Sequence, residues 1–181
     1  ANKIYSLFKA RIEAKKHHGA YKNLIELVEA SEAYSKLLDE QQHSDPAIRS
    51  SIIRMNMYSD THRVLLLGIP RAGLSEETVR KLYRATEYLS YRWIAAGWNA
   101  QVLENFYQAM AHALAKDPSD KGAEKVFDQI LDKAPSDFDL SAITSNDSMP
   151  LQTYALRRIE ESFGGHLAWD SPITVEHLAP Q

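Results

Sequence analysis

The chain has 181 residues, of which 44% are hydrophobic and 25% charged, and its formal net charge is −3. This composition is typical of a globular domain with an ordinary core and argues against disorder. The sequence contains no cysteine, which excludes disulfide bridges, cysteine-ligated zinc and thiol nucleophiles and is compatible with the cytoplasm, where we expect the protein.

Two amphipathic helices are predicted at the start of the chain, over residues 3–17 and 20–42. The sequence His17-His18-Gly19 indicates the end of the first, because cations and a following glycine are favoured at a helix C-terminus. In the second helix, the apolar side consists of Leu24, Leu27, Val28, Tyr34, Leu37 and Leu38. We expect both apolar sides to be buried against partners.

The middle of the chain carries clear helix-start signals. Asp45, followed by Pro46, is expected to cap one helix, and Ser75, Asn99 and Ser119 are expected to cap the next three long ones. The helix after Ser75 extends to residues 96–97. Its predicted core residues are Val79, Leu82, Tyr83, Leu89, Trp93 and Ile94.

The C-terminal part changes character twice. Residues 136–149 are rich in serine and aspartate and predict a loop with one short turn at 140–143, and Pro150 opens a last helix that ends at Gly164-Gly165. Residues 171–177 then alternate β-branched and polar residues, which is the one convincing strand signal. We therefore expect a mainly α fold, an irregular bundle of roughly six to eight helices over residues 1–170, with an extended tail over 171–181.

A candidate catalytic motif lies at the end of this predicted strand, where Glu176 and His177 are followed by Pro180. In ββα metal nucleases a histidine that closes the first strand deprotonates water. A neighbouring acid can hold a divalent cation there. The spacing is therefore compatible with phosphodiester hydrolysis.

Two segments together resemble a known family. Residues 154–160 (YALRRIE) and 173–181 (ITVEHLAPQ) look like the C-terminal part of modification-dependent (type IV) restriction endonucleases of the GmrSD kind. Residues 4–9 (IYSLFK) and 88–93 (YLSYRW) are similar in kind to the helical region of that family. In that family an N-terminal ParB-like nucleotide-hydrolysing domain precedes a helical region and an HNH, or His-Me finger, nuclease.

The resemblance implies roles for two residues. It places His177 at the general-base position and Glu176 at a metal-ligand position for Mg²⁺ or Mn²⁺ in the complete parent protein. The remaining HNH residues would follow Gln181, so we expect residues 171–181 to be the first strand of a truncated nuclease domain. We expect this chain by itself to bind no catalytic metal well and to cut no DNA.

A row of cations on the long central helix is a candidate DNA-binding surface. Arg80, Arg84 and Arg92 are spaced with Tyr88 at i, i+4 intervals, an arrangement that can follow a phosphate backbone. The segment 43–97 is also the most basic part of the chain, with a net charge of +3. The alternative is a solvated row whose cations pair with nearby acids.

Other chemistry finds less support. The histidines lack the spacing of zinc ligands, and the sequence contains no glycine-rich phosphate-binding loop. In the last helix, we expect one of Arg157 and Arg158 to form an ion pair that fixes this helix against the bundle. The expected partners are DNA and the nucleotide-hydrolysing domain of the same parent, with no membrane. The competing interpretation is a noncatalytic helical domain for protein interaction or self-association as a homo-oligomer.

Overall fold

The protein is a multi-helix bundle. The structure, a computed structural model, describes residues 18–141 and 149–165, and these are mainly helical and contain no strand. Their α-helices are α1 (His18–Leu38), α2 (Pro46–Asn56), α3 (Arg63–Leu66), α4 (Glu76–Ala95), α5 (Ala100–Lys116), α6 (Asp120–Lys133), α7 (Asp137–Ser141) and α8 (Met149–Ser162). Two 3₁₀ turns, Glu40–Gln42 and Ile69–Ala72, connect them. The predicted mainly α bundle is thus confirmed, whereas the predicted helix 3–17 and strand 171–177 lie outside the described residues.

Side-chain caps determine where the long helices begin. The oxygens of Asp45, Ser75, Asn99 and Ser119 each accept a hydrogen bond from a backbone N–H in the first turn of the helix that follows. Such bonds satisfy N–H groups that have no partner within the helix. All four predicted caps are confirmed.

Helix α4 is the centre of the bundle. It packs against α2 on one side and against α6 on another, and it also contacts α5. Leu82, Leu89 and Trp93 on α4 are buried, as predicted. The rest of the core comes mainly from α2, α3, α5 and α6, and its largest fully buried side chains include Ile52, Met55, Leu65, Leu66, Leu103, Tyr107, Leu114 and Ile130.

Helix α1 differs from the prediction in two ways. Gly19 lies inside α1, whereas the prediction placed it in the break before this helix; the end of the predicted helix 3–17 lies outside the described residues. Of its predicted apolar side, Leu37 is buried, but Leu24, Leu27 and Val28 are about half exposed. The reason is tertiary, because α1 packs on α3 and on the 3₁₀ turn that follows it, and of its apolar side chains Leu37 belongs to the core cluster.

The serine- and aspartate-rich segment also departs from expectation. Residues 137–141, which were predicted to lie mostly in a loop, form α7, and the second half of the predicted turn at 140–143 lies outside the described residues. Ser136 and Asp139 bond reciprocally there: Ser136 N donates to the Asp139 carboxylate at 2.8 Å, and Asp139 N donates to Ser136 Oγ at 3.2 Å. This capping box begins α7 directly after Ser136.

Candidate nucleic-acid interface

Helix α4 carries the three predicted DNA-binding arginines, and the first of them is already paired. The guanidinium of Arg80 donates to the carboxylate of Asp45, the cap of α2, and lies 3.2 Å from the carboxylate of Glu76. The same bond to Arg80 lowers the pKa of Asp45. Arg80 therefore joins two helix starts, and its charge is balanced by the carboxylates of Asp45 and Glu76.

Arg92 is also engaged in internal contacts. Its Nε donates to the carbonyl oxygen of Pro135 at 2.6 Å, and its Nη2 lies 2.6 Å from the carboxylate of Asp137. The guanidinium also lies 5.1 Å from the ring centre of Tyr88, and the side chain is only 13% exposed. These contacts hold the segment that leads into α7 against α4.

Arg84 is different from both neighbours. It is exposed, and it has no hydrogen bond or ion pair within residues 18–141 and 149–165. It lies at the rim of a polar pocket of about 410 Å³ between α2, α4 and α8. The side chains that line this pocket are Arg54, Arg84, Glu87, Tyr88, Tyr154 and Arg158.

The carboxylate of Glu87 lies at the buried end of this pocket. It accepts hydrogen bonds from Ser51 Oγ at 2.8 Å and from the Tyr154 hydroxyl at 3.0 Å, and Arg54 Nη1 lies 3.4 Å away. Arg54 Nη2 donates to Glu161 at 2.9 Å. Glu87 and Arg54 therefore connect α2, α4 and α8 through one buried network.

Tyrosines surround the same network. The rings of Tyr58, Tyr91 and Tyr154 contact one another, with centroid separations between 4.3 and 6.1 Å. Burial and the adjacent carboxylate of Glu87 raise the pKa of Tyr154. Its hydroxyl thus stays protonated and serves as a hydrogen-bond donor.

The two consecutive arginines of α8 point to different surroundings. Arg157 is buried, whereas Arg158 is partly exposed and pairs with Glu161 at 2.7 Å, one turn further along the same helix. Arg54 of α2 also pairs with Glu161. Glu161 thus links α8 to α2 through an ion pair with Arg54.

Sequence reasoning missed Arg54 and treated Glu87 only as a neutralising neighbour. Glu87 lies one turn after the buried Tyr83 on α4, whereas Arg54 lies away from the apolar stripe that Ile52 and Met55 form on α2. Helical periodicity alone therefore does not predict that Arg54 pairs with Glu87. The packing of α2 against α4 decides this pairing.

The predicted nuclease residues cannot be placed. Glu176 and His177 lie outside the described residues, so their roles as metal ligand and general base stay predictions. Within the described ranges, no group of three histidines or acids is arranged to hold a metal ion. No helix in that part of the chain is long and apolar enough to span a membrane.

Comparison of the chain with protein-family models, with curated proteins and with solved structures gives no match. The function proposed below is therefore based on the sequence and the side-chain contacts of this chain.

Proposed function

We propose that this chain is the helical, DNA-positioning region of a defence-related DNA endonuclease, whose HNH site hydrolyses phosphodiester bonds in modified or foreign DNA. In this proposal the helical bundle links a nucleotide-hydrolysing half of the parent to its cutting half. His177 activates water, and Glu176 holds Mg²⁺ or Mn²⁺ once the rest of the nuclease domain is present.

The observation that carries the DNA-positioning half of the proposal is the free guanidinium of Arg84. It is exposed beside Arg54 and Arg158, and it lies in the part of the chain with the highest net positive charge. Arginine forks bind phosphate oxygens in a bidentate way, which fixes the orientation of a nucleic acid without reading its sequence.

The nuclease half rests on the sequence. Residues 154–160 and 173–181 resemble the same family, and the first of these segments lies within α8. The resemblance implies a helical region before the nuclease domain. The described residues, which precede 173–181, are mainly helical and are compatible with that arrangement.

The experiment that tests the proposal is the substitution His177→Ala in the complete parent protein. We expect protection against phage that carry modified DNA to fall to the level of cells without the protein, because the water would no longer lose a proton to a positioned base. A matched control is His112→Ala, which removes an exposed histidine from α5. Full protection with His177→Ala would remove this residue from the mechanism and, with it, the nuclease proposal.

A further inference from the structure

Among the described residues that line it, the pocket between α2, α4 and α8 carries more positive than negative charge. The guanidinium groups of Arg54, Arg84 and Arg158 and the carboxylate of Glu87 line the pocket, and Arg54 and Arg158 also pair with Glu161 beside it. Both carboxylates have arginine partners, which leaves one positive charge, on Arg84, without a counterion in the described part of the chain. An anion that enters the pocket would therefore complete the charge balance.

The internal ion pairs also make the pocket rigid before any ligand binds. Glu87 accepts from Ser51 and Tyr154 and also pairs with Arg54, which holds Arg54 in place. Arg158 is held by Glu161. Because Arg54 and Arg158 are already oriented, the side-chain entropy that is lost when an anion binds comes mainly from Arg84.

The donors come from different directions. Arg84 and Tyr88 are one turn apart on α4, and Arg158 faces them from α8. A planar carboxylate can satisfy one such fork, whereas a tetrahedral phosphoryl group offers oxygens to donors on two helices at once. At about 410 Å³ the pocket is within the size range of small-ligand sites.

We infer that this pocket binds a single phosphoryl group, held by Arg84 and Arg158 with Arg54 behind them. Binding ties α8 to α4 through the anion. The inference rests on the proposed function only for the source of the phosphoryl group, which would then be a DNA strand.

The test measures thermal unfolding of the chain by fluorimetry with increasing inorganic phosphate, against sodium chloride of the same ionic strength. We expect the midpoint temperature to rise with phosphate in the wild type, because a ligand that binds only the folded state stabilises it. In Arg84→Gln the phosphate affinity should fall about tenfold or more, since a charge-assisted bond is lost. Arg84→Lys should give an intermediate affinity, because lysine keeps the charge but not the fork.

Lys121→Gln is the matched control, because it removes an exposed cation of α6 that lies outside the pocket. It should leave the phosphate response unchanged. Arg84 is exposed and makes no described bond, so its replacement leaves the fold intact. Equal phosphate responses in the wild type and Arg84→Gln, or no response in either, would overturn the inference.

A second arm identifies the source of the group with a short single-stranded oligonucleotide, with and without a 5′-phosphate. Arg84-dependent binding of the phosphorylated form alone assigns the pocket to a strand end, and equal binding of both forms assigns it to the backbone. If inorganic phosphate binds but neither oligonucleotide does, the phosphoryl site in the pocket is supported, and a role of this pocket in positioning DNA is contradicted. The His177→Ala experiment decides the nuclease proposal independently of all these results.

Discussion

His62 shows how much a single buried polar residue contributes to the stability of this bundle. It is completely buried at the start of α3, and neither ring nitrogen has a hydrogen-bond partner among residues 18–141 and 149–165. Burial, together with the adjacent guanidinium of Arg63, lowers the pKa of His62 to about 3. The ring is therefore neutral at pH 7, and its polar atoms are desolvated without compensation, which costs about 1–3 kcal/mol.

We expect His62→Leu to raise the free energy of unfolding at pH 7 by about 1–2 kcal/mol, because leucine fills a similar volume without polar atoms. Urea unfolding followed by circular dichroism measures this change. The control His112→Leu, at an exposed site, should change stability by less than about 0.5 kcal/mol.

The same pair of proteins gives a pH test. The pKa of His62 is lower in the folded chain than its ordinary value of 6.5. The titration of His62 therefore leaves the free energy of unfolding unchanged above pH 6.5 and lowers it as the pH falls from 6.5 towards 3, by up to about 1.4 kcal/mol per pH unit, because the unfolded chain takes up the proton first. His62→Leu should lack this part of the acid dependence. Identical acid slopes in the two proteins would show that the imidazole is not buried in solution.

The helices themselves show what local signals can determine. The caps at Asp45, Ser75, Asn99 and Ser119 are encoded by a few adjacent residues, so the starts of the long helices were predictable. The packing of a helix is not local. Helix α1 has an apolar stripe along its length, but Leu37 is buried there while Leu27, three turns earlier, is 49% exposed.

We expect Leu37→Ala to lower the free energy of unfolding by about 2–4 kcal/mol, because it leaves a cavity in the core. Leu27→Ala removes the same atoms from the same helix and should cost less than about 1 kcal/mol. Urea unfolding of the two variants in parallel provides the comparison. A cost at Leu27 as large as that at Leu37 would mean that another surface covers this face of α1 in solution.

At the scale of the whole molecule, the network around Glu87 joins helices that are far apart in the chain. Its carboxylate binds Ser51 of α2 and Tyr154 of α8, which are 36 and 67 residues away. Helix α8 also buries Leu151 and Arg157, and it leaves Leu156 and Ile159 about half exposed. Apolar burial and this polar network therefore both attach α8 to the bundle.

We expect Glu87→Gln to lower the free energy of unfolding by about 2 kcal/mol. The amide keeps the shape but removes the charge that faces Arg54 and one of the two acceptor oxygens. Glu77→Gln on the same helix is the control. Glu77 is exposed and pairs with Lys81, so its loss should cost less than about 0.5 kcal/mol. A cost at Glu87 no larger than at Glu77 would contradict a structural role for the network.

The candidate site could be predicted from the sequence only in part. The row of Arg80, Arg84 and Arg92 is visible from its spacing on α4, but spacing cannot tell which member is paired. Asp45 and Asp137, which pair with the two outer arginines, are 35 and 45 residues away in the chain. The position of Arg158 opposite Arg84 depends on how α8 docks on α4, and no local pattern contains that information.

The sequence alone therefore determined the helical class, the starts of the four capped helices and the central core of α4, because each depends on periodicity or on a side chain that bonds a backbone group a few residues away. The tertiary structure alone decided that α1 buries Leu37 but leaves Leu27 half exposed, that two arginines of the row are neutralised, and that three helices enclose a polar pocket. Burial and ion pairing depend on residues distant in the chain, and their free energy is set by the solvent that those residues exclude.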